Sequence, residues 1–147
     1  MDRYTYVLMI IEAAHNGVKD LPNAIDQLNG HKEVHQRLVT TYGTERVSSS
    51  AVNSNPALEA IIRCESDIEA LEIKIALVNQ DQEKVRSLIS IIKNRSYAQI
   101  LEMYCYLGWS HGRIARSFGK SVSTIKRKKS EAINIIAQEL NKKEAGA

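Results

Sequence analysis

Proline is nearly missing from this sequence, at two residues in 147, and glycine is sparse at seven. An all-β sandwich or barrel needs a turn signal about every 8–12 residues, so this scarcity of punctuation excludes one. Aromatic residues make up only 5%. The longest apolar run, Tyr6 to Ile11, is six residues, against the ~20 that a spanning helix needs, so no membrane partner is expected. No cationic start leads into an apolar stretch and a small-residue cleavage site, so no signal peptide is expected. The two cysteines, Cys64 and Cys105, form no C-x-x-C pair, which fits reduced thiols in a cytoplasmic protein. Phosphate-binding loops, paired-carboxylate motifs, nucleophile elbows and dinucleotide fingerprints are all missing, so neither catalysis nor a cofactor is expected. His31 and His35 are four apart but lack the further ligands that zinc requires, and no metal is expected.

Acidic residues are absent from one stretch in particular. Between Met103 and Ser130 stand seven basic residues, Arg113, Arg116, Lys120, Lys126, Arg127, Lys128 and Lys129, with no Asp or Glu among them. The rest of the chain holds 13 basic and 17 acidic residues, so the net charge of +3 conceals a concentrated positive segment on a mildly acidic body. Such a field suits a phosphate polyanion; the plainer alternative is a solvated basic helix face.

The fold expected is all-α. Residues 1–42 read as an N-terminal helical segment of three short helices: one capped by Asp2 and stopped at Asn16-Gly17, one restarted at Leu21-Pro22 and closed by Asn29-Gly30, and one over 32–42 stopped at Gly43. Residues 43–56 are polar and aperiodic, and read as a linker. Asn55-Pro56 is an N-cap followed by proline at the first helical position. Over 57–93 the periodicity is the clearest in the chain. Ile61, Cys64, Ile68, Leu71, Ile75, Val78, Gln82, Val85, Ile89 and Ile92 follow steps of three and four, with only Gln82 polar. This is a heptad seam sustained for about five repeats. A single helix cannot bury it, so either a second copy covers it, giving a homodimer through Ile61, Ile68, Leu71, Ile75, Val78, Val85, Ile89 and Ile92, or the N-terminal helices fold back along it. The homodimer is the leading expectation.

Residues 94–147 divide by their caps into three helices: Ser96 to Tyr106, His111 to Ser117 after Ser110, and a last helix from Ser121 to about Asn141. Within them Ile114-Ala115, Gly119 and Ile125 have the spacing of a helix-turn-helix. The alanine lets two helices cross closely, the glycine permits the tight turn, and Ile114, Phe118 and Ile125 fill the wedge. Helical phase puts Val122, Ile125, Ala132, Ile133, Ile136 and Leu140 on one side of the last helix, with Ser123, Thr124, Arg127 and Asn134 roughly opposite. The start of such a helix enters the major groove. Arg127 is the candidate for guanine O6/N7, with Ser123, Thr124 and Lys126 as further base-reading candidates. Ser110, Arg113, Arg116, Lys120, Ser121 and Lys128 are placed as phosphate contacts.

The run from Tyr97 to Arg127, with Ile100-Leu101, Tyr104, Gly108, Ser110, Ile114-Ala115 and Ser121-Val-Ser-Thr-Ile125-Lys-Arg127, resembles region 4 of sigma-70-type factors. It is most similar to the small phage late regulators of the ArpU/RinA type, over about residues 85–140. The resemblance implies a sequence-specific activator of phage late genes in the host cytosol, binding double-stranded promoter DNA near RNA polymerase, with recognition at Ser121, Ser123, Thr124 and Arg127. Gly112 and Arg113 differ from the acidic residues common there, and Lys128 from an apolar one. Two other classes fit the same features: a small-terminase-like DNA adaptor, and a non-enzymatic coiled-coil interaction protein.

Overall fold

A computed structural model of the protein describes residues 1–48 and 55–146. It contains five helices among the described residues and no strand: α1 (Arg3–Ser48), α2 (Pro56–Ile89), α3 (Arg95–Cys105), α4 (His111–Phe118) and α5 (Val122–Ala145). The all-α expectation is met. None of these helices is long and apolar enough to cross a membrane.

The N-terminal segment is where sequence and structure part most clearly. Instead of three short helices, α1 runs on through Asn16-Gly17, Pro22, Asn29-Gly30 and Gly43. Its start is as expected, with Asp2 Oδ1 accepting from the Thr5 N–H at 2.7 Å. Gly17 does not end the helix because it serves a close approach: a Cβ there would lie 3.1 Å from Val78 Cγ2. Pro22 deprives the Val18 carbonyl of its helical partner without stopping the helix. Of the expected linker over 43–56, residues 43–48 are helical and 49–54 lie outside the described residues. Asn55 caps α2, its Oδ1 accepting from Ala57 at 3.0 Å and Leu58 at 3.3 Å.

The chain forms two compact units. The first comprises Met1–Asp20 and Val78–Ala147. Its core joins Val7, Ile11 and Ala14 of α1 to Val85, Leu88 and Ile89 of α2, and to Ile100, Leu101, Ile114, Ile125, Ile133 and Ile136 of α3–α5. After α2 ends, Ile91 and Ile92 donate to the carbonyls of Leu88 and Ile89, a tight final turn that still delivers Ile92 to the core. Gln82, the polar member of the seam, donates to the Cys105 carbonyl at 2.9 Å and the Ala14 carbonyl at 3.5 Å. It therefore joins α2 to α3 and α1 inside one chain.

The second unit is Leu21–Leu77. Here Ile61 and Cys64 are buried, and Ile68, Leu71 and Ile75 are half-buried. The Cys64 thiol donates to the His31 carbonyl at 3.1 Å. His35 and Glu65 lie 3.1 Å apart, and Lys32 and Glu72 3.9 Å. The fold-back packing expected as the alternative accounts for the buried members of the seam, Val78, Val85, Ile89 and Ile92 in the first unit and Ile61 and Cys64 in the second, whereas Ile68, Leu71 and Ile75 stay partly open.

Truncating the seam should therefore unfold the first unit. Ile89→Ala is expected to cost about 2–4 kcal/mol, the usual penalty for an emptied core site. The loss of Tm should be the same at low and high protein concentration. A seam shared between two copies would make it concentration-dependent.

Candidate nucleic-acid interface

Three helices of the first unit, α3, α4 and α5, set the geometry of the basic stretch. The cap of α3 is Asn94 and not Ser96: Asn94 Oδ1 accepts from the Tyr97 N–H at 3.2 Å while its own backbone is extended. Asparagine and serine cap about equally well, and the earlier cap adds two residues, Arg95 and Ser96, to the front of the helix. The other two caps are those the sequence marks. Ser110 Oγ accepts from Arg113 at 3.2 Å to open α4, and Ser121 Oγ accepts from Thr124 at 3.2 Å to open α5.

Between α4 and α5, Gly119 is left-handed at φ 64° and ψ 34°. Lys120 donates to the Ala115 carbonyl at 3.0 Å and Gly119 to the Arg116 carbonyl at 3.3 Å. These two bonds close α4 in a paired motif that needs a residue free of Cβ strain at position 119. Ala115 is buried, as a close helix crossing demands, beside Ile114 and Ile125. The expected caps and the left-handed turn between two helices, with a buried alanine before it, are thus present.

What this turn exposes is the start of α5. Ser121, Ser123, Lys126 and Arg127 are exposed, whereas Thr124 and Lys128 are half-buried. The hydroxyls of Ser123 and Thr124 both lie within hydrogen-bond reach of Ser121 Oγ, at 3.2 and 2.8 Å. Thr124 is therefore partly committed to the cap. Val122, phased with the apolar side, is instead 41% exposed, since it opens the helix ahead of its first core residue, Ile125. On α4 and the turn, Arg113, Arg116 and Lys120 are all exposed. The Arg113 guanidinium lies 4.2 Å from the centre of the Trp109 ring, a cation–π contact that steadies it.

Three groups escaped the sequence reading. Lys129, counted with the basic face, is buried. Its Nζ donates to Glu12 Oε1 at 3.0 Å and to His111 Nε2 at 3.1 Å, and sits 4.1 Å from the centre of the Tyr104 ring. Tyr104 also donates to Glu12 at 2.7 Å, and His15 stacks on the Tyr104 ring at 3.8 Å while donating to its carbonyl at 2.8 Å. The signal for Lys129 was available: it lies four residues from both Ile125 and Ile133, on the buried side of the helix. No signal near Lys129 pointed to Glu12. The third group is Glu131, which accepts from the Tyr97 hydroxyl and lies 3.6 Å from Arg127 Nη1. That bond raises the Tyr97 phenol above its ordinary value.

Desolvation, then the nearby Lys129 and Lys126 charges, hold His111 below its ordinary 6.5. Burial by itself would raise Glu12, but hydrogen bonds from Tyr104 and Lys129 outweigh it and hold the carboxyl below 4.5. Burial pushes the Cys105 thiol up to about 12, which leaves it a protonated core residue. No group of three or more metal-ligating side chains is assembled among the described residues.

Both lowered values give stability the same sign. Unfolded His111 takes a proton near 6.5 while the folded residue resists it, so its contribution is present above that pH and lost below it. The contribution of Glu12 is present above 4.5 and lost as pH falls through its folded value. Tm should therefore fall from about pH 7 to about pH 5, more shallowly in His111→Gln. Glu12→Ala strands the Lys129 ammonium in the core. It should cost about 2–3 kcal/mol, below the figure for a fully buried pair because Glu12 is partly wet. Thermal unfolding across that pH range checks the first, and denaturant unfolding at pH 7 checks the second.

No protein-family model, curated protein or solved structure matches this chain, so its function has to be read from the residues just described.

Proposed function

We propose that the protein is a sequence-specific regulator of transcription that reads double-stranded DNA through α4 and α5. One observation carries the reading. The capped, left-handed turn at Gly119 presents Ser123, Lys126 and Arg127 on the exposed side of α5, while Ile125, Ala132 and Ile133 bury the other side. An exposed, rigid and acid-free helix start is what a major groove admits. Arg127 reads guanine, with Ser123, Lys126 and the remaining reach of Thr124 beside it. Arg113, Arg116, Lys120 and Lys128 meet phosphates, as do the capped N-termini after Ser110 and Ser121.

The likeness of Tyr97–Arg127 to sigma region 4 extends the proposal to promoter DNA, to RNA polymerase as a neighbouring partner and to activation of phage late genes in a host cytosol. A homodimer through the 57–93 seam is left out of it, because six of its members, Ile61, Cys64, Val78, Val85, Ile89 and Ile92, are already buried within one chain. The coiled-coil interaction reading loses its motive for the same reason. Nothing in the fold favours the ring-forming adaptor.

Arg127→Ala should weaken binding to the preferred duplex by ~1–3 kcal/mol and relax preference at one base pair. Lys120→Ala and Arg116→Ala should each weaken binding to every duplex about equally and reduce the salt slope by about one. Selection from random duplexes, followed by anisotropy titration at several salt concentrations, tests this. Absence of DNA binding at low salt would overturn it.

A further inference from the structure

We infer that Glu131, held by Tyr97 across the contact between α3 and α5, is a positioning residue that aims Arg127 and so sets its base preference. The inference rests on the DNA-reading function proposed above. An exposed Arg–Glu pair four residues apart on a helix is ordinarily worth little, because both side chains are long and free to leave each other. This pair differs in having a third member on another helix. Glu131 Oε2 accepts from the Tyr97 hydroxyl, while Oε1 faces Arg127 Nη1 at 3.6 Å. Tyr97 is itself fixed, half-buried in the first turn of α3, with its backbone N–H taken by the Asn94 cap. The carboxylate therefore stands between a neutral donor on α3 and a charged one on α5, and it cannot swing into solvent without breaking the first.

This tether acts on recognition and not only on stability. An unrestrained arginine beside DNA turns to the nearest phosphate, a contact that carries no sequence information. With Glu131 Oε1 3.6 Å from Nη1, Arg127 has part of its charge offset on the exposed side of α5. A single phosphate oxygen is then a poorer exchange for the carboxylate, whereas the paired acceptors of guanine match the planar fork of the guanidinium. Glu131 thus lowers the pull toward phosphate and preserves the pull toward one base pair. The four cations assigned to phosphates have no such neighbour: among the described residues no carboxylate lies within ion-pair distance of Arg113, Arg116, Lys120 or Lys128.

The test uses the full chain and a duplex selected from a random-sequence pool by the wild type. Binding is measured to that duplex and to a copy changed at the base pair whose preference Arg127→Ala abolishes. Tyr97→Phe and Glu131→Gln should each lower the ratio of the two affinities about five- to tenfold. Glu131→Gln, which removes a negative charge, should also tighten binding to the changed duplex and steepen its salt dependence; Tyr97→Phe, which removes only a hydroxyl, should do neither. In an Arg127→Ala background neither variant should alter the ratio. If Arg127→Ala abolishes the preference but both variants keep the wild-type ratio, and only their Tm falls, Glu131 merely staples two helices and the inference is overturned alone. A preferred duplex that Arg127→Ala leaves preferred at every position also overturns it. A wild type that selects no sequence overturns the DNA-reading function, and the inference with it.

Discussion

A lysine ammonium inside the core of a small helical unit constrains everything placed around it. Taking such a charge out of water costs several kcal/mol unless a counter-ion and hydrogen bonds meet it there. Lys129 stands on the buried side of α5, and its carboxylate comes from Glu12, 117 residues earlier in the chain. Tyr104 of α3 serves both, with its ring beside the ammonium and its hydroxyl on the carboxylate. His111, the first residue of α4, accepts a second hydrogen bond from the ammonium through Nε2. One cation therefore fixes the mutual placement of α1, α3, α4 and α5. The first part of α1 is on this account an integral part of the unit that carries α4, the Gly119 turn and α5.

From that fixed point the two sides of α5 follow. Ile125, Lys129, Ile133 and Ile136 are held from within, so the residues between them have one direction left to face. The local caps then set where the helix begins, to a single residue, through Ser121 and the turn at Gly119. A reading surface needs this rigidity, because its side chains have to arrive at base edges already in place. Tyr97 and Glu131 extend the same logic outward, since a residue of α3 steadies a group beside Arg127.

Local signals were legible in the sequence, and distant ones were not. Asp2, Asn55, Ser110, Ser121 and Gly119 behave as their residue types dictate, because a cap or a left-handed turn is settled within a few residues. Ala115 and the Ile114, Phe118, Ile125 wedge follow from spacing alone. The errors lie where tertiary packing overrides punctuation. Gly17 reads as a stop but serves the approach of Val78, and Pro22 reads as a restart but falls within α1. Because α1 is continuous, it supplies α2 with a partner inside the chain that the glycines and proline along it do not announce. Glu12 and Gln82 find partners far away in sequence, for which periodicity carries no sign.

Composition misleads in a related way. Seven basic residues between 113 and 129 suggest one uniform field, yet they hold unlike positions. Lys129 is neutralised in the core by Glu12. Arg127 is offset by Glu131. Arg113 leans on the Trp109 ring. Arg116, Lys120, Lys126 and Lys128 have no carboxylate partner among the described residues, and they account for most of the attraction a polyanion would feel. A charge count cannot separate a cation that holds a helix in place from one that reads or one that attracts, because the difference lies in which carboxylates the fold brings near. Here those carboxylates, Glu12 and Glu131, both lie outside the acid-free stretch, and each offsets one cation of the general field.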